Sequence, residues 1–129
     1  MIIISNGSYN FNRNNLESKK NIILVNVEKN KSKDFMKYRN SGLNQVLCRI
    51  AKKNNNAIGI SFNEILNSEN RQELLGRIMF NIKLCNKYNV KMYICNSIKK
   101  KEEIRNDIDL KALASVLGLQ NAGIKRFLY

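Results

Sequence analysis

Histidine, tryptophan and proline are absent from this chain of 129 residues, and acidic residues are scarce. Each absence excludes something. Without histidine there is no Ser-His-Asp or Cys-His triad, no His-Cys zinc site and no His-rich metallophosphoesterase cluster. Cysteine is limited to Cys48, Cys85 and Cys95. They are not closely spaced, and a zinc site would need a fourth ligand and a CxxC pair to start from. We read all three as reduced packing residues, which fits a cytoplasmic protein. No apolar run approaches the roughly 20 residues of a membrane span, so no membrane partner is expected. Met1 to Ser5 is too short for a signal peptide and lacks a basic n-region. The length suits one domain, residues 1–129, burying about two-thirds of its unfolded surface.

Ten acidic residues stand against 23 Lys and Arg, a formal charge of +13. Such an excess points to an anionic partner, most often nucleic acid. Composition offers a second origin. Asn, Lys and Ile number 22, 16 and 16, and these are residues that an AT-rich genome overproduces. Charge alone therefore does not separate function from codon usage.

Short apolar runs alternate with longer helical patterns. The runs Ile2–Ser5, Ile22–Val27, Ala57–Phe62 and Lys91–Cys95 are expected strands, buried on both faces of a parallel sheet. Ser41 is the expected cap of a helix with Leu43, Val46, Leu47, Ile50 and Ala51 on one face. Asn70 with Glu73 matches a capping box before Leu74, Leu75, Ile78, Ile82 and Cys85. Asn106 with Asp109 repeats that pattern before Leu110, Leu113, Ala114 and Leu117, and Gly118 is a natural stop. A last short helix is expected from about Asn121 to Leu128. Tyr9–Ser18 stays ambiguous, because asparagine weakens helix propensity there. Glu28–Asn40 reads as a Lys-rich loop. The alternation argues for an α/β fold of parallel strand-helix repeats, either a small open sheet or half of an eight-stranded barrel.

Four blocks then resemble one family in its own order. Arg39–Asn54 (RNSGLNQVLCRIAKKN) is similar to a segment of ribonuclease P protein component 3, the archaeal member of a family shared with eukaryotic ribonuclease P and MRP particles. Ala57–Ser68 (AIGISFNEILNS), Asn81–Tyr88 (NIKLCNKY) and Ile104–Leu119 (IRNDIDLKALASVLGL) resemble its following blocks. Asn12-Arg13 and Asn21–Val27 extend the likeness weakly upstream. The resemblance implies a TIM-like (β/α) barrel, reduced or partial here because a complete one takes about 250 residues. The missing units would leave an open parallel edge, expected to be covered by a partner, a second copy or a terminal segment. The resemblance also implies a non-catalytic subunit of a ribonucleoprotein endonuclease that removes the 5′ leader from precursor tRNA. Its expected partners are ribonuclease P RNA, precursor tRNA and other protein subunits, especially protein component 2. Mg²⁺ would sit on the RNA, and the protein itself would bind no cofactor.

The residues are compatible with that role. Asp107 and Asp109 do not share a helix face and suit a helix dipole. Glu102 and Glu103 read as a solvated face. Glu64, just after a strand-like run, is the best single acid for a barrel mouth. The basic residues carry more. Lysine and arginine bind phosphate through counterion release, and arginine adds bidentate geometry and stacking. Lys29, Lys31, Lys33, Lys37 and Arg39 follow the second expected strand, and Lys99, Lys100, Lys101 and Arg105 follow the fourth. Both groups are expected at the carboxyl ends of the strands, on one face. Lys52 and Lys53 end a helix, where they also suit its dipole. Arg13, Arg39 and Arg105 are favoured as RNA contacts, because composition bias produces arginine less readily than lysine. Tyr9, Phe11, Tyr38 and Phe80 are the aromatics available for stacking, with packing the better role for Phe80.

Overall fold

The computed structural model describes residues 2–29, 41–61, 69–98 and 123–128. Its elements are β1 (Ile2–Ser5), α1 (Tyr9–Ser18), β2 (Ile22–Val25), a 3-10 turn (Val27–Lys29), α2 (Gln45–Lys53), β3 (Ala57–Ser61), α3 (Arg71–Tyr88), β4 (Lys91–Ile98) and β5 (Gly123–Leu128). All strand pairings are parallel, and the order across the five-stranded sheet is the order in the chain. With right-handed crossovers and no reversal of order, the connecting helices fall on one face.

Alternation along the strands separates two apolar layers. Ile22, Leu24, Ile58, Ile60, Met92 and Ile94 pack in one cluster with Leu16, Leu47, Ala51, Ile78, Ile82 and Cys85 of the helices. The intervening residues Ile23, Val25, Ala57 and Cys95 form the second cluster, with Ile3 and Tyr93 against it. Every residue of β2 and β3 is buried, as the continuous apolar runs require.

Gly59 lies at the centre of the second layer, paired with Val25 on one side and Tyr93 on the other. A β-carbon there would stand 2.6 Å from Val25 Cγ1, 2.8 Å from Cys95 Sγ and 2.9 Å from Ile23 Cγ2. The neighbouring strands close over the missing side chain. Gly59→Ala is expected to overpack this layer and cost about 2 kcal/mol. Urea denaturation checks it: the midpoint should fall with little change in slope.

The helices fix the turns. α1 forms despite its asparagines because Ser8 Oγ caps it, accepting from Phe11 N at 3.1 Å, and because Leu16 anchors it in the core. Asn12 is buried: its Oδ1 accepts from Gly7 N at 2.9 Å and its Nδ2 donates to Asn6 Oδ1 at 2.7 Å. All four non-glycine residues with positive φ among those described are asparagines: Asn21, Asn26, Asn55 and Asn89. Asparagine tolerates this left-handed region better than most residues. Asn21, Asn55 and Asn89 make the tight returns into β2, β3 and β4. Asn26 ends β2 earlier than the apolar run through Val27 suggests.

Several expectations need correction. The segment Gly123–Leu128 is a strand, not a helix. Ile124, Phe127 and Leu128 have helical spacing, but pairing of every residue with β4 decides the matter. Helix α2 is capped by Asn44, whose Oδ1 accepts from Leu47 N at 2.9 Å, not by Ser41. Gly42 has φ +85° and cannot lie within a helix. Asn70 does precede α3 but makes no side-chain capping bond, and Glu73 turns to Arg77 instead. β4 runs on to Ile98. The expected helix around Leu110–Leu117, and Glu64, Glu102, Glu103, Asp107 and Asp109, lie outside the described residues.

Candidate nucleic-acid interface

Of the candidate RNA contacts, Arg13, Lys52 and Lys53 fall within the described residues, and all three are exposed. Arg39, Lys99, Lys100, Lys101 and Arg105 lie outside them. Arg13 projects from the middle of α1 and its Nε donates to Glu17 Oε1 at 2.9 Å, one turn on. Glu17 holds its guanidinium pKa above the ordinary value, first by this hydrogen bond and then by charge. The pair is exposed on both sides, so it orients Arg13 more than it stabilises the fold. Tyr9 and Phe11, also exposed, lie on the same helix. The Tyr9 hydroxyl accepts from Asn44 Nδ2 at 3.2 Å, which joins the amino ends of α1 and α2. Phe80 is half-buried on α3, and Tyr38 is outside the described residues.

Lys52 and Lys53 occupy the last turn of α2, at the amino ends of the strands. The chain leaves β2 and β4, toward Arg39 and toward Lys99, at the opposite end. Among the described candidates, Lys52 and Lys53 share the last turn of α2 and Arg13 stands on α1. Arg49, one turn before Lys53, lies 5.8 Å from the ring centre of Tyr88, and Lys87 lies 5.5 Å from it. Two cations share one ring where α2 meets α3.

On α3 two buried polar residues went unseen in the sequence. Arg77 is 4% exposed; its Nη1 donates to Glu28 O at 3.0 Å and its Nη2 to Glu73 Oε1 at 3.0 Å. Asn81, one turn on, is 1% exposed and donates through Nδ2 to Ser41 O at 3.0 Å. Glu28 and Ser41 flank residues 30–40, the Lys-rich segment that carries Arg39. Both ends of that segment are thus tied to one side of α3. The apolar stripe 74, 78, 82, 85 gave no hint, because Arg77 and Asn81 sit beside it. A usable signal existed for Asn81, which opens the family-like block NIKLCNKY.

Cys48, Cys85 and Cys95 are buried thiols, as expected of packing residues. A hydrogen bond between the Cys48 and Cys85 thiols lowers the Cys48 pKa and, together with burial, raises that of Cys85. Among the described residues no three His, Cys, Asp or Glu side chains are grouped to hold a metal ion. Among the same residues no helix is long and apolar enough to cross a membrane.

No protein-family profile matches the sequence. Individual proteins do. Ribonuclease P protein component 3 of Methanosarcina acetivorans is 34% identical over 122 residues, 93% of this chain and 48% of that protein. Its counterpart from Methanosarcina mazei is 33% identical over the same span. The Methanocaldococcus jannaschii protein is 31% identical over 81 residues, 61% of this chain and 35% of that one. A chain in a cryo-EM structure of archaeal ribonuclease P with mature tRNA superimposes with a TM-score of 0.79 at 28% identity. The match covers 92% of this chain and 49% of that one. The chain spans about half the length of the curated relatives first named. Sequence and fold agree over nearly all of its residues, and the chain belongs to the ribonuclease P protein component 3 family.

Proposed function

We propose that the chain acts as an RNA-binding protein subunit of ribonuclease P, contacting the catalytic RNA and supporting removal of the 5′ leader from precursor tRNA. The observation that carries this reading is the joint likeness in sequence and fold across more than nine-tenths of the chain. On this reading the protein contributes positioning and charge, the RNA holds the Mg²⁺, and no protein side chain acts on the scissile phosphate. Its partners would be ribonuclease P RNA, precursor tRNA and other protein subunits, protein component 2 in particular. Buried cysteine thiols suit a cytoplasmic setting.

The parallel sheet, ordered as in the chain, supports membership of a TIM-like barrel of which these strands form part. β1 and β5 are its edges, and Ile2 on β1 is 67% exposed. An unpaired parallel edge invites another strand. On the barrel reading this edge is covered by a partner, a second copy or a further segment of polypeptide.

Reconstitution tests the function. Archaeal ribonuclease P RNA and companion subunits are assembled with and without this chain, and precursor tRNA cleavage is followed at low Mg²⁺. Faster cleavage with the chain is the expected result, and an unchanged rate contradicts the proposal. Arg39→Ala and Arg105→Ala should each weaken RNA binding and lower the slope of log affinity against log salt by about 0.7–0.9. Binding titrations at several salt concentrations check this, and an unchanged slope removes that residue from the RNA face.

A further inference from the structure

The amino end of the sheet carries lysines contributed by three successive helix-to-strand returns. Lys19 and Lys20 precede β2, Lys52 and Lys53 precede β3, and Lys87 and Lys91 flank the return into β4. The register keeps these returns level, since Ile23, Ala57 and Lys91 pair in one row. Asparagine side chains bind the first two together. Asn54 Nδ2 donates to Leu16 O and Glu17 O at 2.8 and 3.0 Å. Asn56 accepts from Ile22 N at 3.0 Å and donates to Leu16 O and Lys19 O at 2.9 and 3.0 Å. Asn55 Nδ2 donates to Asn21 Oδ1 at 2.7 Å.

All six lysines are exposed. Helix-dipole compensation accounts for Lys52, Lys53 and Lys87, which lie in last turns. It does not account for Lys20, beyond the end of α1, or for Lys91, the first residue of β4. The three helix ends supply about half a negative charge each, well short of the charge on six lysines. Of the described acids, Glu28, Glu69 and Glu73 follow the carboxyl ends of the strands, and Glu17 is engaged by Arg13. None of the exposed large hydrophobic residues (Ile2, Tyr9, Phe11, Val46, Met79) belongs to these returns. A protein-binding surface would be expected to centre on apolar or aromatic residues. Lysines and asparagines, with the half-buried Tyr88 ring beside Lys87 and Arg49, suit phosphate.

We propose that this amino-end rim binds the phosphodiester backbone of RNA, as a contact surface separate from the segments that leave the carboxyl ends of the strands. The proposal rests on the RNA-binding reading above and gives it a location. Lysine ammonium groups are point charges that grip phosphates without reading bases, so the rim positions RNA rather than selecting its sequence.

The test compares the whole chain with the triple variant Lys20→Gln, Lys53→Gln, Lys91→Gln. The control is Arg71→Gln, at the first residue of α3 and roughly 24 Å along that helix from Lys87. The probe is a labelled archaeal ribonuclease P RNA transcript, titrated across about 0.05–0.3 M KCl. The triple variant should bind at least about tenfold more weakly and lose about 2 from its salt slope. Lys53→Gln alone should lose about 0.7–0.9, and Arg71→Gln should keep the wild-type slope. Thermal melting should match wild type for every variant, and the single lysine variants carry the same test if the triple one does not fold. Unchanged affinity and slope in the lysine variants overturn the rim while wild-type binding leaves the subunit reading standing. A wild-type chain with no salt-dependent RNA binding overturns both. Lysine variants that keep RNA affinity but lose a protein subunit assign the rim to an acidic protein surface and overturn the proposal.

Discussion

Replacing Gly42 by alanine is expected to lower the stability of the fold by about 4 kcal/mol, or about 15 °C in melting temperature. Two costs add. The φ of +85° places Gly42 in the left-handed region, where an L side chain is strained. A β-carbon there would also fall on the Val27 carbonyl oxygen and lie 2.8 Å from the carbonyl carbon. Backbone cannot turn aside as a flexible side chain can. The close approach matters because Val27 begins the turn after β2 and Gly42 leads into α2. Those two points flank the segment carrying Arg39. Differential scanning calorimetry checks the prediction, and a loss below about 1 kcal/mol contradicts the close approach.

Arg77→Ala is expected to cost about 3 kcal/mol, measured by urea denaturation. The exposed Glu73 is not the main reason. Its side chain is 48% exposed, so the ion pair contributes well under about 1 kcal/mol. The greater part comes from the buried bond to Glu28 O and from the space the guanidinium fills. Glu73→Gln separates the two contributions and should change stability by less than about 1 kcal/mol. Arg77→Lys should recover only part of the loss, because one ammonium cannot reproduce two divergent guanidinium bonds. If Glu73→Gln costs as much as Arg77→Ala, the clamp on Glu28 O is not what holds this end of the sheet.

These two residues also show where sequence reasoning reached and where it stopped. The four early strands were legible as short continuous apolar runs, although only β2 and β3 are buried along their whole length and β1 is a more exposed edge. α3 was legible from Leu74, Ile78, Ile82 and Cys85. β5 was not, because Ile124, Phe127 and Leu128 fit a helical face equally well and only pairing with β4 separates the two. The beginning of α2 was misplaced because Ser41 looks like a cap, while Gly42 adopts a φ no helix contains and Asn44 makes the bond.

The family-like blocks were legible as a name before they were legible as physics. In RNSGLNQVLCRIAKKN, Ser41 supplies a carbonyl to Asn81, Gly42 lies against Val27, Asn44 caps α2, and Asn54 joins α2 to α1. Much of that block holds structure, and its exposed lysines remain the candidates for RNA. The abundance of asparagine, which looks like codon usage, includes all the positive-φ turns among the described non-glycine residues. Buried polar clamps such as Arg77 leave no periodic trace, since their partners are main-chain carbonyls far off in sequence.

The central claim is that this chain works inside a ribonuclease P particle. It is tested most directly by recovering a tagged copy of the chain from its own cells and sequencing the RNA that comes with it. The account predicts that ribonuclease P RNA is the most enriched structured RNA and is released as salt is raised. Recovery of the intact chain with no enrichment of that RNA over an untagged control would contradict it.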